Sequence, residues 1–371
     1  MGEYQPLKSY VNAAMARQLA EQIKAVYADF AVEPFVEQAS SGLEELELKE
    51  RVAHMALCLR DYLPAEYPEA VNLLLAILGR DNRTEEEPWG EWYFLMPVAY
   101  FVQAYGLEHF DESMEAMYEI TKRHTSEFAV RPFLMRYPQR TLERLHQWVK
   151  DENLHVRRWV SEGTRPRLPW ASRLPAFIEN PQPVLRLLEH LKNDPSLYVR
   201  KSVANNLNDI SKDHPDMVIE MLTGWHKEAS QETLWIIRHA LRTLLKQGHP
   251  DALHLLGYGE PQVMLHNLRV EPPILQFGQS LTISFTVQSE SEETQNLMID
   301  YLIHFVKANG KTRPKVFKFS KKSLKGGQSM DLQKKHAIKA ITTRRYYAGT
   351  HRVEIQVNGK ILGGVEFELR M

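Results

Sequence analysis

The sequence predicts an all-α solenoid of HEAT-like repeats followed by a small all-β sandwich of immunoglobulin-like type, and three observations carry that reading. The segment Leu154-His155-Val156-Arg157-Arg158-Trp159-Val160 returns 43 residues later as Leu197-Tyr198-Val199-Arg200-Lys201-Ser202-Val203, and 38 residues after that as Trp235-Ile236-Ile237-Arg238-His239-Ala240-Leu241. A one-sided apolar helix recurring at roughly 40–47 residues marks stacked helical repeats, each burying a face that it cannot bury alone. Second, apolar residues recur at spacings of three and four from the N-terminus to about residue 258. Third, beyond Tyr258-Gly259-Glu260-Pro261 the period falls to two, as in Leu281-Thr282-Ile283-Ser284-Phe285-Thr286-Val287, which is the alternation of half-buried strands.

In order along the chain, helices are predicted over 11–30, 44–61, 67–78, 91–105 and 111–124, the last opened by Asp111 as N-cap with acids in its first turn. Pro138 opens a further helix over 139–150, with Leu142, Leu145, Trp148 and Val149 as its stripe. Strands are predicted over 281–287, 299–306, 316–319 and 353–357, and Asn309-Gly310 and Asn358-Gly359 supply hairpin turns. The expected domains are 1–260, helical, and 262–371, a β-sandwich.

A chain of 371 residues with 43% hydrophobic and 25% charged side chains is ordinary for globular proteins. No apolar run approaches the roughly 18 residues of a spanning helix, and Met1-Gly2-Glu3-Tyr4-Gln5-Pro6 lacks the basic and apolar regions of a secretory signal. The lone Cys58 excludes an internal disulfide framework, so a reducing cytoplasm is the expected home. The net charge of −1 hides an asymmetry: residues 1–125 carry 22 acids against 10 bases, whereas 311–345 carry 12 bases against one acid, Asp331. Near-neutral totals therefore do not argue against a polyanion, because clustering sets the local field. Lys311, Arg313, Lys315, Lys318, Lys321, Lys322 and Lys325 suit phosphates, although charges of this kind also protect sheet edges.

An irregular repeat locates the candidate site. Arg131 to Arg157 is 26 residues but Arg157 to Arg200 is 43, so about 17 residues are extra if each interval holds one intervening helix. They fall at 164–175, where three prolines and three arginines forbid a regular helix and Trp170 sits in the middle. Loops on rigid scaffolds carry sites. Arginine suits phosphate and Trp170 suits base stacking, the alternative being a surface insert whose Trp packs on a neighbouring helix. Glu127 and Glu162 flank this region, and adjoining repeats would bring them to one surface. Paired carboxylates among arginines can stabilise a cationic transition state or orient a water. Each also has a plainer reading: Glu127 as a first-turn acid behind a Thr125 or Ser126 cap, Glu162 as the i, i+4 partner of Arg158.

Three segments together, Thr125-Ser126-Glu127-Phe128-Ala129-Val130-Arg131-Pro132-Phe133, Val156 to Gly163 with Arg165-Pro166-Arg167-Leu168-Pro169-Trp170, and Val199 to Asp209, resemble the AlkC branch of the AlkC/AlkD alkylpurine DNA glycosylases. The resemblance covers nearly the whole chain and that branch carries a C-terminal immunoglobulin-like domain. It implies hydrolytic excision of small cationic bases, chiefly 3-methyladenine, from double-stranded DNA in base excision repair, by a solenoid and β domain that together grip the duplex. It also implies Glu127 and Glu162 at the catalytic positions, Trp170 and Arg158 near the lesion, and Arg165, Arg167, Arg200 and Lys201 beside the backbone, with Arg131 among the recurring cations. In the β part, Lys315, Lys318, Lys321 and Lys322 would follow phosphates. The sister AlkD branch frames an aspartate with tryptophans, and since no Trp stands in Asn205-Asn206-Leu207 that cage does not carry over.

No cofactor, metal or membrane is expected, and the protein is expected to act as a monomer. The 15 histidines show neither His-Glu-x-x-His nor a Cys/His cluster. Asn309-Gly310-Lys311-Thr312 lacks the upstream glycine of a phosphate loop, Phe305 standing there. The rival class is a non-catalytic helical-repeat module that binds DNA or protein. The glutamates discriminate, since carboxylates facing phosphates would hinder a pure binder.

Overall fold

Each copy of the recurring segment forms a helix, Leu154–Gly163, Leu197–Ile210 and Gln231–Ala240, and the middle one packs against both others. The computed structural model describes residues 5–85 and 92–371. In these helices the apolar stripe is buried: Val156, Trp159 and Val160 in the first, Val199, Val203 and Leu207 in the second, Ile236, Ile237 and Ala240 in the third. Trp159 stacks on Trp148 at 5.4 Å and Trp148 on Tyr118 at 5.0 Å, contacts of about 0.5–1.5 kcal/mol each beyond their buried area.

The recurring arginine braces the start of its own helix. Arg157 Nη1 donates to the carbonyls of Asp151 and Glu152 at 2.8 and 3.0 Å, and Arg200 Nη1 donates to those of Asp194 and Pro195 at 2.8 and 2.7 Å. In both repeats the guanidinium reaches back five and six residues and ties the helix to the turn before it. Arg200, expected beside the DNA backbone, thus commits its Nη1 to two carbonyls of its own chain.

Local differences from the sequence reading have local causes. The span expected as one helix over 11–30 is Ala13–Val26, followed by a turn and Val32–Ser40; Asn12 fixes its start by accepting from Met15 N at 3.0 Å. The helix Phe110–Thr121 has His109 as N-cap, and Asp111 sits in its first turn, where it binds Arg140 and Arg144 at 3.1 and 3.0 Å instead of capping. Pro138 occupies the first position of Pro138–Trp148 as expected. Glu91, the expected start of another helix, lies outside the described residues; the helix there is Leu95–Tyr105. The surplus residues do fall where the prolines put them: no helix spans 164–174, and the short Pro175–Glu179 follows.

Packing divides the chain into two compact units, 1–214 with 224–240, and 215–223 with 241–371. The second holds eight strands: β1 Val263–Glu271, β2 Ile274–Gln276, β3 Ser280–Ser289, β4 Gln295–Val306, β5 Thr312–Leu324, β6 Ser329–Ala337, β7 Gly349–Val357 and β8 Lys360–Arg370. They form two sheets, β1-β3-β6 and β2-β8-β7-β4-β5. Ile283, Phe285 and Val287 from one sheet and Ile299, Tyr301, Ile303 and Phe305 from the other share one buried core, bridged by Phe285 edge-on to Phe319 at 5.0 Å. The four expected strands are parts of β3, β4, β5 and β7. The two Asn-Gly turns occur with Gly310 at φ 73° and Asn358 and Gly359 at 43° and 83°.

Helix gives way to strand between Leu255 and Val263, whereas packing changes earlier, since Arg242–Gln247 and Pro250–Leu255 belong to the β unit. Gly248 and Gly359 meet there so closely that a Cβ on Gly248 would stand 2.7 Å from the Gly359 Cα. Asp300 of β4 lies buried in this unit, and burial pushes its carboxyl up to about 6 despite nearby Lys318, Lys246, Lys321 and Lys334. A raised acid favours the folded state while protonated, so its contribution is full below about 3.8 and is lost as pH rises through about 6. Asp300→Asn is therefore expected to stabilise this unit by about 1–2 kcal/mol at pH 7 and not at pH 4, measured by denaturant melts at both pH values.

Candidate active site

Glu127 sits in the turn ahead of the helix Val130–Arg136, and Thr125 builds that turn. The Thr125 hydroxyl accepts from Glu127 N at 3.2 Å and donates to Glu127 Oε2 at 3.0 Å. Ser126, the other expected cap, instead donates to the Met117 carbonyl at 3.1 Å. Glu162 is on Leu154–Gly163, one residue before Gly163. A Cβ on Gly163 would come within 2.7 Å of Val130 Cγ1, so glycine is what lets the two helices approach here.

Arg158 joins the two carboxylates. Its Nη1 donates to Glu127 Oε2 and, at 3.0 Å, to Thr125 Oγ1, while its Nη2 lies 3.6 Å from Glu162 Oε1. The guanidinium also stands 5.1 Å over the Tyr198 ring. Burial disfavours the charge on Arg158, but Glu127, Tyr198 and Glu162 outweigh it and hold the group more firmly protonated than usual. For Glu162, burial pushes the carboxyl up, yet Arg158, Arg165 and the Ser202 hydroxyl leave it below the ordinary glutamate range. The i, i+4 contact foreseen between Arg158 and Glu162 exists, and Arg165 at 2.6 Å is closer.

The 164–174 loop is pinned from both ends. Arg131 is 1% exposed and its donors go to the carbonyls of Ser172, Gly163 and Arg165. Burial, then repulsion from Arg165, brings Arg131 down to about 10. Lys49 Nζ donates to the Trp170 carbonyl at 2.6 Å. Between these anchors Trp170 adopts φ 63°, a left-handed backbone that a bulky side chain leaves unless held, and the residue is 68% exposed. Trp170 is thus largely exposed rather than packed on a neighbouring helix.

A cleft of about 720 Å³ runs beneath this loop, lined by Glu127, Arg158, Trp170, Tyr93, Tyr100 and Tyr198 among others. Glu162 is not on its wall. Three of the arginines expected along phosphates have protein partners. Arg131 and Arg165 are buried, Arg165 pairing with Glu162 and Asp209, and Arg167 binds both oxygens of Asp213 at 3.0 and 2.7 Å. Lys201 alone of that set is exposed. Sequence reasoning missed Lys49, Tyr198, Ser202 and Asp209, whose partners lie 40 to 121 residues away with no local pattern to announce them.

In the β unit the cations do not share one face. Arg313 and Lys315 pair with the core residues Phe305 and Ile303 across β4, so they project on the core side, while Lys318 and Lys321 pair with Asp300 and Met298. Lys321 is 5.3 Å from the Tyr258 ring, and Lys322 is exposed near the end of β5. The core-side cations line a groove of about 760 Å³ with Lys307, Lys311, Arg344 and Arg345, and no carboxylate is on its wall. Arg344 lies 3.9 Å over Phe305 and donates to Tyr346 Oη at 3.3 Å, so its fork is pre-oriented. Arg344 and Arg345 were not foreseen as ligands; the sequence shows their charge but not that a loop folds them against β5.

Among the described residues no group of three His, Cys, Asp or Glu side chains is placed to hold a metal ion, and no helix is long and apolar enough to cross a membrane.

Comparison with known proteins bears on both parts. The family described as "DNA alkylation repair enzyme" matches residues 123–244, and that described as "Uncharacterised protein YhaZ, C-terminal Ig-like domain" matches 264–371. The chain is 39% identical over 365 residues to the uncharacterized protein YhaZ of Bacillus subtilis (strain 168), covering 98% of this chain and 99% of that one. It is 40% identical to the Pseudomonas fluorescens alkylpurine DNA glycosylase AlkC, solved bound to DNA containing an abasic site analog, with a TM-score of 0.91 over 99% of this chain and 100% of that one. A polar cluster set under an exposed Trp, within a chain matched end to end by that enzyme, identifies this protein as a member of the AlkC family of alkylpurine DNA glycosylases, acting in DNA alkylation repair.

Proposed function

We propose that the chain, a HEAT-like solenoid with an immunoglobulin-like sandwich, excises small cationic alkylpurines, chiefly 3-methyladenine, from double-stranded DNA. The observation that carries this reading is Glu127 on the wall of an aromatic cleft, its carboxylate steadied by Arg158 and Thr125, beside the exposed Trp170 ring. Alkylation of the ring makes the base a cation and hence a good leaving group. The C1′–N9 bond breaks with its electron pair leaving on the base, which becomes neutral, and positive charge passes to the sugar. The Glu127 carboxylate stabilises that charge and accepts a proton from the water that forms the new C1′–O bond. Neutral purines leave too slowly for so sparse a site, which gives selectivity without a deep base pocket. Trp170 and the tyrosines of the cleft supply stacking surface.

Incubation with N-methylated duplex and chromatography of the released bases tests this; free 3-methyladenine supports it, and none at high protein concentration would favour a binding module.

The groove of the β unit is proposed to take DNA phosphates through Lys311, Arg313, Lys315, Arg344 and Arg345, with Lys201 as a further phosphate ligand on the helical unit. A wall of cations without carboxylates supports this. Neutralising Arg344 and Arg345 to Gln should weaken undamaged duplex uniformly across sequences, and should reduce the slope of log K against log salt by about 0.9 for each phosphate that is no longer neutralised. Titrations at several salt concentrations read the slope, and an unchanged slope would remove the groove from the interface.

A further inference from the structure

Two side chains of the helix Leu197–Ile210, Ser202 and Asp209, stand two turns apart on the face that meets Glu162 and Arg165. We propose that Ser202 and Asp209 are positioning residues for excision: they fix Glu162, Glu162 fixes Arg158, and Arg158 aims the carboxylate of Glu127. This rests on the assignment of Glu127 above and gives the two glutamates different tasks.

The oxygens of Glu162 are already engaged. Oε1 accepts from Arg165 Nη1 at 2.6 Å and faces Arg158, and Oε2 accepts from Ser202 Oγ at 2.6 Å. With 6% exposure and no place on the cleft wall, it has no oxygen to offer a water. Arg165 is held in turn by Asp209 Oδ2, at 2.9 Å from Nε and 2.8 Å from Nη2, and Asp209 Oδ1 accepts from Lys212 at 2.8 Å. The result is one chain of alternating sign, Glu127, Arg158, Glu162, Arg165, Asp209, Lys212. Its inner members Glu162, Arg165 and Asp209 are all under 9% exposed. Removing one member of such a chain strands a buried charge, so its neighbours must move. The movement ends at Glu127, the member that faces the cleft.

The charged groups facing Glu162 are Arg158 on its own helix, Arg165 in the following loop and Arg131 from Val130–Arg136, while Asp209 and Tyr198 of Leu197–Ile210 act on those arginines, Asp209 on Arg165 and Arg131 and Tyr198 on Arg158. Loss of the Ser202 hydroxyl or slackening of Arg165 raises the Glu162 carboxyl toward its ordinary range. The acid limb of the excision profile must then move to higher pH.

The test is single-turnover base release by full-length Ser202→Ala and Asp209→Asn between pH 4 and 8. The expected result is a rate lower by about 10- to 100-fold, as misorientation of a reacting group produces, with undamaged-duplex affinity held to about twofold. The acid limb should shift upward, and Asp209→Glu should recover part of the rate. Wild-type rates in both variants, or a lower rate with an unmoved acid limb, would overturn the proposal. Ser202→Ala removes one hydroxyl and decides the matter should Asp209→Asn not fold. A wild-type enzyme that releases no base takes down the functional reading itself, whereas an active wild type with indifferent variants takes down only this inference.

Discussion

Glu127→Gln is expected to lower the single-turnover rate of alkylpurine release by about 10²–10³-fold, the usual loss when one pre-organised charge is taken from a transition state. The change is nearly isosteric. It keeps the bond from the backbone N–H of residue 127 to Thr125 Oγ1, so the turn should survive. What goes is the negative charge facing the developing cation on the sugar, together with the acceptor for the proton of the water. Affinity for undamaged duplex should stay within a few fold, because that charge opposes phosphates rather than attracting them. Single-turnover assays with methylated duplex and parallel binding titrations separate the two effects. A variant with full excision would remove Glu127 from the chemistry.

The second large effect concerns stability. Arg131→Met should destabilise the helical unit by about 3 kcal/mol, since the buried carbonyls of Gly163 and Arg165 lose their donor at roughly 1–3 kcal/mol each and the part-buried carbonyl of Ser172 loses its own. A fall in melting temperature of roughly 10 °C follows for a unit of this size, measurable by scanning calorimetry. The 164–174 loop also loses an anchor, so the left-handed backbone at Trp170 should relax and excision should fall with it. Arg131 thus reads as a cation for DNA in the sequence and behaves as a brace in the fold. A melt unchanged from wild type would show that the carbonyls find other donors.

The β unit and the repeated helices could be read from short-range periodicity. Strands β3, β4, β5 and β7 show alternation because the core takes every second side chain. β6 and β8 do not, since Lys334 and His336 occupy one and Gly363-Gly364 interrupt the other. At the site, the loop around Trp170 was legible from its prolines, and the two glutamates from their place beside the repeated arginines. Charge sign was legible too, but not the use of each charge. Arg157 and Arg200 stand at the same place in the repeat and bond the carbonyls five and six residues back, whereas Arg158, at the next place, joins two carboxylates. Of the two carboxylates that Arg158 joins, one comes from its own helix and the other from the turn at Glu127, 31 residues away, which no local pattern announces.

The sequence by itself determined that helices precede strands, where the repeat is interrupted, and which residue types stand at the interruption, because these follow from spacing and from backbone geometry. Only the tertiary structure decided that Glu127 faces the cleft while Glu162 is spent on Arg165 and Ser202, that Arg131 and Arg165 are buried, and that Arg344 joins a groove on the β unit. The physical reason is range. Periodicity acts over a few residues, whereas the role of a charge depends on the partner and the burial it finds across tens of residues or more of chain, where one ion pair turns a ligand into a brace.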